Sequence, residues 1–145
     1  MASKKKVSVE ISRGKYVESL DLKKLGFKRV LKSFKFSFDG LKYAYTHEQS
    51  LALHLMVMAL VITFGIIFRI TPMQWVITLV MGALILVGEL FNTSIEAVVD
   101  MVTEEYHPLA KVAKDTASAA CFVADMIAFG MWLVVFVPKI VAIFR

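Results

Sequence analysis

Cysteine is almost absent from this sequence, and charge becomes scarce after the first 50 residues. The single cysteine, Cys121, lies in an apolar segment, which excludes an intrachain disulfide and argues against redox chemistry. No long apolar stretch occurs in the first 15–30 residues or so, and the first one begins near Leu51, so we expect no secretory signal peptide. Neither a GxxxxGK[ST] motif nor a Gly-rich kinase loop is present, so any use of ATP would need a different kind of nucleotide site.

Apolar residues are in excess. They make up 58% of the 145 residues, whereas about half is usual for a soluble domain, and the length fits one domain. Of 17 lysines and arginines, 12 precede the first long apolar run. This segregation indicates a membrane protein. The alternative is a nucleic-acid-binding arm over residues 1–47, but no aromatic, Gly-rich RNA-binding module follows it.

The N-terminal third divides into two parts. Residues 1–24 are Lys-rich and weakly patterned, which predicts a mobile basic tail before a membrane domain over residues 25–145. Over residues 27–46, apolar side chains recur at steps of three and four, and basic side chains fill the rest of the circumference. This pattern predicts an amphipathic helix in the lipid headgroup plane, because no soluble core follows that it could cover. The apolar stripe consists of Phe27, Val30, Leu31, Phe34, Phe38, Leu41 and Tyr45.

Three apolar segments predict an all-α membrane protein with three transmembrane helices. Their approximate bounds are residues 51–68, 73–101 and 114–137. The second connector is predicted as a polar turn over residues 103–112 that contains Pro108, and Pro138 is expected to mark the end of the third span.

The cations predict the orientation. The N-terminal segment and the connector over residues 103–114 must share a side of the membrane, and together they hold 14 of the 17 basic residues. That side is therefore predicted to be cytoplasmic. In the third span Ala120, Ala124 and Ala128 form a predicted small-residue ridge that lets another helix approach closely. Three helices enclose little volume, so we expect a homo-oligomer.

Polar residues stack on one face of the second span. In GELFNTSIEAVVD, the residues Glu89, Asn92, Glu96 and Asp100 are spaced three, four and four apart, within an arc of about 80°. Carboxylates at the end of a membrane span are costly in hydrocarbon and indicate function. The structural alternative is that Asn92 and Asp100 only cap or pair.

A lysine follows on the third helix, where Lys114 and Ser118 lie one turn apart. An antiparallel hairpin would place Lys114 beside the carboxylate row. Carboxylates that hold a divalent cation, facing a lysine that meets phosphate oxygens, are the groups that phosphoryl transfer needs. Asp115 has a second interpretation, as a cap of the third helix.

The stretch EL-N-SIEAVVD, followed by EYH, KVAKD and S-AA, resembles the small bacterial integral-membrane diacylglycerol kinase and undecaprenol kinase family. The resemblance runs without gaps from about Phe27 to Ser118. Members are homotrimers of three-span subunits with an N-terminal surface helix, and they transfer the γ-phosphate of Mg-ATP to a lipid hydroxyl. The resemblance implies a multi-pass enzyme of the bacterial inner or plasma membrane with a cytoplasmic N-terminus. Position 52, often basic in the family, is Ala52 here.

The resemblance also implies roles for single residues. Glu89 matches the catalytic base, Asn92 an active-site amide, and Glu48 and Glu96 the ligands of Mg²⁺. Burial of Glu89 after apolar residues makes it a better proton acceptor near neutral pH. Positions near the nucleotide are matched by Arg29, Phe36, Glu48, Glu96, Asp100, Glu105, Tyr106, His107, Lys114 and Asp115. Positions of the lipid site are matched by Arg29, Ser33, Phe34, Ser37, Phe38, Leu51, Glu89 and Ser118.

Several alternatives stay open. The THEQSLALH stretch and the closing FVPKI favour undecaprenol as acceptor, by resemblance, and diacylglycerol is the other candidate. Phe36 either stacks on adenine or packs on another subunit. A non-catalytic scaffold or small ion transporter is the alternative of another class. Residues 73–88 contain no acidic residue, which argues against a transporter. The sequence retains Glu89, Glu96 and Lys114, which argues against a degenerate scaffold.

Asp125 lies eleven residues beyond Lys114 on the same helix face, about 16 Å deeper. Glu89 is likewise eleven residues from Asp100, which predicts that Asp125 and Glu89 are level. Our hypothesis is a protonated Asp125 that hydrogen-bonds Glu89, Ser118 or the lipid hydroxyl, and the alternative is simple pairing inside the bundle. For the histidines, His54 among them, hydrogen bonding is favoured over a metal site.

Overall fold

The computed structural model describes residues 27–144. Four helices follow one another: α1 (Phe27–His47), α2 (Gln49–Ile67), α3 (Pro72–Val102) and α4 (Pro108–Ile143). By length and composition α2, α3 and α4 can each cross a membrane, which confirms an all-α fold with three transmembrane helices. The predicted mobile tail, residues 1–24, lies outside the described residues. The chain forms two compact units, one ending at Asp39 and one beginning at Gly40.

The first unit contains the beginning of α1. Its apolar stripe is exposed, with between 52% and 78% of each residue accessible in Phe27, Val30, Leu31, Phe34 and Phe38. Ser37 donates its hydroxyl proton to the Ser33 carbonyl at 3.0 Å, a local bond on the same helix. Burial of this stripe in the headgroup plane stays a prediction.

The connector between α2 and α3 is short and closely defined. Arg69 adopts a positive φ of 47°, and the Ile70 amide donates to the Gly65 carbonyl at 3.1 Å, which closes the C-terminus of α2. Thr71 then begins α3 with a capping box, since its hydroxyl accepts from the Gln74 amide and the Gln74 side chain accepts from the Thr71 amide. Pro72 follows in the first turn, where its missing N–H costs nothing.

Helix α3 is one unbroken helix of 31 residues. At 1.5 Å per residue it is about 46 Å long, against about 30 Å for a bilayer core. The mostly apolar residues 73–88 and the carboxylate row that follows them therefore belong to a single helix. Because this helix is longer than the bilayer core is thick, one end of it must extend beyond the hydrocarbon.

Helix α4 differs from the prediction at both ends. Pro108 is its first residue and not part of the preceding turn, because proline is well suited to the first helical position. At the other end the helix continues through Pro138 to Ile143. Pro138 was expected to mark the point where the span leaves the membrane, and that stays a prediction. The helix itself does not end there, because an apolar setting favours helical bonding of the other backbone groups despite the N–H that proline lacks and the crowding of its ring against the preceding turn.

Helix α3 packs chiefly on α4 and to a lesser extent on α2. The predicted ridge is wrong in one member, because Ala120 is exposed. A strict step of four drifts about 40° per turn around a helix, whereas steps of four, three and four stay on one line. The buried line, all 8% exposed or less, consists of Ala117, Cys121, Ala124 and Ala128.

Two glycines set the approach of α2 to α3. A Cβ at Gly65 would lie 2.7 Å from Cη2 of Trp75, and a Cβ at Gly82 would overlap the end of the Met58 side chain. The Trp75 ring is rigid and the Met58 thioether is flexible. Gly65 is therefore the stricter of the two positions.

Candidate active site

Glu89 is the buried carboxylate of the site, with 4% of the residue exposed. Its Oε2 accepts a hydrogen bond of 2.6 Å from the Ser50 hydroxyl on α2. The Thr93 hydroxyl donates to the Glu89 carbonyl oxygen at 2.9 Å, one turn along α3. A polar pocket thus surrounds this carboxylate at a point of α3 that directly follows the apolar residues 85–88.

His54 stands between two carboxylates. Its Nδ1 lies 3.5 Å from Oε1 of Glu89, and its Nε2 lies 3.2 Å from Oδ1 of Asp125. Asp125 and Glu89 are therefore level, as the eleven-residue spacing predicts. The partner that the structure gives Asp125 is His54, and not Glu89 or Ser118 as hypothesised, because the imidazole occupies the space between the two acids.

Asn92 and Glu96 continue the row toward the end of α3. The Asn92 amide nitrogen donates to Oε1 of Glu96 at 2.9 Å. The Asn92 amide oxygen is buried and has no hydrogen-bond partner among the described residues. Buried polar atoms almost always have partners, so an unpartnered oxygen beside a carboxylate is suited to a cation.

Lys114 confirms the predicted antiparallel hairpin of α3 and α4. Its Nζ lies 2.7 Å from Oδ1 of Asp100, which is level with it on α3. Lys114 also interacts electrostatically with Glu96 and with Glu48, the residue that joins α1 to α2. The Lys114 ammonium group therefore has three carboxylates around it, two from α3 and one from the junction of α1 with α2.

These oxygen donors fit the Mg²⁺ that this chemistry implies. Within residues 27–144, no group of three or more acidic, histidine or cysteine side chains is arranged to hold a metal. Mg²⁺ is usually bound by only one or two carboxylates, together with water and substrate phosphates. Glu48 and Glu96, with the Asn92 amide oxygen nearby, meet that requirement.

A polar groove of about 420 Å³ lies at the end of the α3–α4 hairpin. Two local bonds shape the turn beside it. The Thr103 hydroxyl accepts from the Glu105 amide at 3.1 Å, and His107 Nδ1 accepts from the Leu109 amide at 3.2 Å. Lys111 and Asp115 form an ion pair on its wall. The groove brings together six residues predicted near the nucleotide: Asp100, Glu105, Tyr106, His107, Lys114 and Asp115.

For the remaining predicted site residues, burial and position alone do not indicate a role. Leu51 is 1% exposed and packs within the protein, so its contact with a lipid stays a prediction. Ser118 is exposed on α4. The others lie on α1 in the first unit, where all are exposed, and their part in the site stays a prediction: Arg29, Ser33, Phe34, Phe36, Ser37 and Phe38.

An apolar cavity of about 230 Å³ lies beside His54, the residue that contacts Glu89. His54 and Asp125 lie on its wall, and nearly all of the remaining lining is hydrocarbon and aromatic. The indole N–H of Trp132, also on the wall, has no partner among the described residues. The other lining residues are Leu53, Val57, Met58, Gly82, Ile85, Leu86, Met126 and Phe129.

Sequence reasoning missed Ser50. Ser50 and His54 are four residues apart, so they lie on the same face of α2, and both are polar at the beginning of an apolar span. Two polar residues on one face of an apolar helix could have indicated a polar partner on the next helix. The identity of that partner depends on how α2 and α3 are rotated against each other.

Comparison with known proteins agrees with this geometry. The family model for prokaryotic diacylglycerol kinase matches residues 35–136, a stretch that includes the carboxylate row, His54, Asp125 and the groove. The chain belongs to this family. It is therefore a lipid kinase, and its three apolar helices make it a bacterial membrane protein.

Similar proteins in the family carry two names. Undecaprenol kinase of Bacillus subtilis is 34% identical over 112 residues, which cover 77% of this chain and 91% of that protein. Diacylglycerol kinase of Helicobacter pylori strain J99 is 41% identical over 101 residues, covering 66% of this chain and 74% of that protein. Diacylglycerol kinase of Escherichia coli K12 is 30% identical over 109 residues, covering 75% and 89%.

Proposed function

We propose that this lipid kinase transfers the γ-phosphate of Mg-ATP to the hydroxyl of undecaprenol, with Glu89 as the base. One observation supports this most directly. The α3–α4 hairpin carries a buried carboxylate whose partner His54 lines an apolar cavity, and an exposed groove begins about three turns along α3. A bilayer-bound alcohol and a water-soluble nucleotide can meet between them.

Glu89 removes the proton of the acceptor hydroxyl in this proposal. Its carboxylate is buried between the Ser50 hydroxyl and the His54 ring, where a lipid hydroxyl can be placed against it away from water. The Ser50 hydroxyl holds one of its oxygens at 2.6 Å. The second catalytic residue, Asn92, orients Glu96 through its amide nitrogen, and its amide oxygen has no hydrogen-bond partner among the described residues and could bind the metal.

Glu48 and Glu96 would hold Mg²⁺, which neutralises charge on the phosphate oxygens when it is bound. Lys114 would exchange its contact with Asp100 for phosphate oxygens. Both lysines of the groove, Lys111 and Lys114, are paired with carboxylates, and the phosphates of the nucleotide would compete with those carboxylates for the lysines. Asp100 and Asp115 therefore keep the cations in place before the nucleotide arrives.

The groove would take the nucleoside end of ATP, with Tyr106 and His107 as its aromatic walls. Arg29 and Phe36 on α1 complete the nucleotide site in this proposal. Phe36 either stacks on adenine or packs on another subunit. Ser33, Phe34, Ser37 and Phe38 would face the lipid together with Leu51 and Ser118.

Undecaprenol is favoured over diacylglycerol by the chemistry of the cavity. A polyprenol has one hydroxyl on a hydrocarbon chain, whereas diacylglycerol adds two ester groups that need polar partners or water. The wall of the cavity offers few such partners beyond His54, Asp125 and Trp132. Diacylglycerol is the second candidate, because relatives of that name match the chain at up to 41% identity.

We further propose a homotrimer in the bacterial inner membrane, with the N-terminus in the cytoplasm. The support is the exposure of the apolar faces, since no more than a third of the most apolar window of any spanning helix is buried within one chain. A polybasic N-terminal segment on the cytoplasmic side agrees with the positive-inside rule. Chemical crosslinking in native membranes measures the subunit number, and protease protection of the N-terminus measures the topology.

One assay tests the function. The purified chain in detergent is given labelled ATP and Mg²⁺, with undecaprenol and diacylglycerol as parallel acceptors. We expect label in the lipid fraction, more in undecaprenol than in diacylglycerol, and none with Glu89→Gln. Preferred labelling of diacylglycerol reverses the acceptor assignment. Labelling of neither lipid sinks the proposal and favours a non-catalytic membrane protein or ion transporter.

A further inference from the structure

The contact of His54 with two acids has no part in the mechanism above. The imidazole bridges Glu89 on α3 and Asp125 on α4, at 3.5 and 3.2 Å. The side chains are 17%, 6% and 31% exposed for His54, Glu89 and Asp125. Each element that packs around Glu89 contributes to this cluster: α2 through His54 and Ser50, and α4 through Asp125 and the Cys121 thiol.

Asp125 cannot act on the nucleotide. It lies eleven residues from Lys114, about 16 Å along α4 toward the apolar cavity. A carboxylate at that depth is costly unless it is paired, and His54 is the partner that the structure provides. Asp125 therefore acts through His54.

The contacts are close without being aligned hydrogen bonds. His54 Nδ1 and Asp125 Oδ1 are buried, and neither makes a hydrogen bond within the described part of the chain, although both are within ion-pair distance of their partners. Catalytic hydrogen bonds are often long or poorly aligned in the absence of substrate and tighten when it binds.

We propose that Asp125 and His54 are positioning residues: Asp125 orients the His54 ring, and the ring receives the proton that Glu89 takes. The inference rests on the proposed role of Glu89 as base. Asp125 accepts from Nε2–H, which leaves the Nδ1 lone pair facing Oε1 of Glu89, while the Ser50 hydroxyl donates to Oε2. Once Glu89 has taken the proton, Nδ1 and Oε1 hydrogen-bond to each other. This is the arrangement in which a carboxylate orients an imidazole for its partner.

Atoms and charge are conserved in this transfer. The acceptor O–H bond breaks and its proton goes to Glu89, while the acceptor oxygen forms a bond to the γ-phosphorus. The bond from that phosphorus to the bridging oxygen breaks, and its electron pair leaves on ADP. The proton is then shared between Glu89 Oε1 and His54 Nδ1, with the Asp125 carboxylate stabilising the imidazolium, and is released to water before the next turnover.

The test compares Asp125→Asn and His54→Asn with the unchanged chain, in detergent with saturating lipid alcohol. Asn at 125 keeps the shape and removes the charge, and Asn at 54 keeps a hydrogen-bonding group near the position of Nδ1 but loses the contact with residue 125. We expect kcat to fall about 10- to 100-fold in Asp125→Asn, with the KM for ATP unchanged, since general-base assistance is worth about 10²- to 10⁴-fold. Asp39→Asn, the same replacement on an exposed part of α1, is the matched control and leaves kcat unchanged.

A second measurement separates positioning from packing. In the His54→Asn background, Asp125→Asn should lower kcat no further, because its only route to Glu89 has been removed. His54→Ala should be slower than His54→Asn, which retains a hydrogen-bonding group beside Glu89. If one variant fails to fold, the other carries the same comparison of kcat with KM.

Three results would overturn the inference: a kcat of Asp125→Asn within twofold of the unchanged chain, equal effects on kcat and on the KM for ATP, or independent effects of the two substitutions. Failure of the proposed function looks different. In that case Glu89→Gln retains activity, or the unchanged chain labels no lipid.

Discussion

Glu89 and Asp100 are carboxylates on the same face of the same helix, three turns apart, and their surroundings are opposite. Glu89 is 4% exposed and its neighbours are a hydroxyl, an imidazole and a thiol. The Asp100 side chain is 64% exposed and is paired with Lys114. Where water is excluded a carboxylate can serve as a base, and where water is present it serves to hold cations. In the proposed function, depth along α3 separates proton chemistry from nucleotide docking.

Replacement of the buried carboxylate should have the largest effect. Glu89→Gln keeps the volume and removes the proton acceptor, so we expect kcat to fall at least about 10³-fold. Asp100→Asn is the matched control at the exposed end and should lower kcat by less than about tenfold. Phosphate transfer at saturating ATP and lipid is the measurement. Equal losses of kcat in Glu89→Gln and Asp100→Asn would show that the two acids do not differ in role with their depth along α3.

Replacement of the metal carboxylate should have the next largest effect. Glu96→Gln removes a charge that neighbours both Asn92 and Lys114, and we expect the Mg²⁺ concentration for half-maximal rate to rise about 10- to 100-fold. The measurement is the rate as a function of free Mg²⁺ at fixed ATP. Glu89→Asp is the comparison variant, since it should slow turnover without changing the Mg²⁺ requirement. An unchanged requirement in Glu96→Gln would remove Glu96 from the metal site.

Loss of the groove lysine should affect ATP more than lipid. Lys114→Ala leaves Asp100 without its cation and deprives the phosphates of a donor, so we expect the KM for ATP to rise about tenfold. The KM for the lipid should stay within twofold. Lys139→Ala, near the far end of α4, is the control for a lost lysine. A rise in the lipid KM instead would place Lys114 at the acceptor.

The smallest effect on turnover is expected from Gly65, at the contact of α2 with α3. Gly65→Ala brings a methyl group against the rigid Trp75 ring, and overpacking of this kind costs about 1 to 3 kcal/mol of stability. Gly82→Ala meets the flexible Met58 end and should cost less stability. Thermal unfolding in detergent measures both, and kcat of the folded Gly65→Ala fraction is expected to stay within twofold. A lower melting temperature for Gly82→Ala than for Gly65→Ala would contradict the assignment of Gly65 as the stricter position.

Much of the site was predictable because its signals are local. The spacing of Glu89, Asn92, Glu96 and Asp100 places them on one helix face whatever surrounds that helix, and the eleven-residue interval to Asp125 sets its depth. The structure bears out the level of Asp100 with Lys114 through their 2.7 Å contact. Periodicity and axial rise are properties of any α-helix, so they can be taken from the letters alone.

Contacts between helices were harder to predict from the sequence. Ser50 was missed, Ala120 was placed in a ridge that it does not join, and Asp125 was assigned partners other than His54. Each of these depends on the rotation of one helix against another, which the packing of many side chains decides together. Proline was also over-interpreted, since Pro108 begins a helix and Pro138 lies inside one.

The amino-acid sequence by itself determined three spans, a carboxylate row at one end of the second of them, and membership of a lipid kinase family, because hydrophobicity and helical spacing act along the chain. Only the tertiary structure decided that His54 lies between Glu89 and Asp125 and that Ser50 caps the buried carboxylate. Those contacts join residues 35 to 71 positions apart. Distances of that kind come from how three helices fit together, and no local pattern contains them.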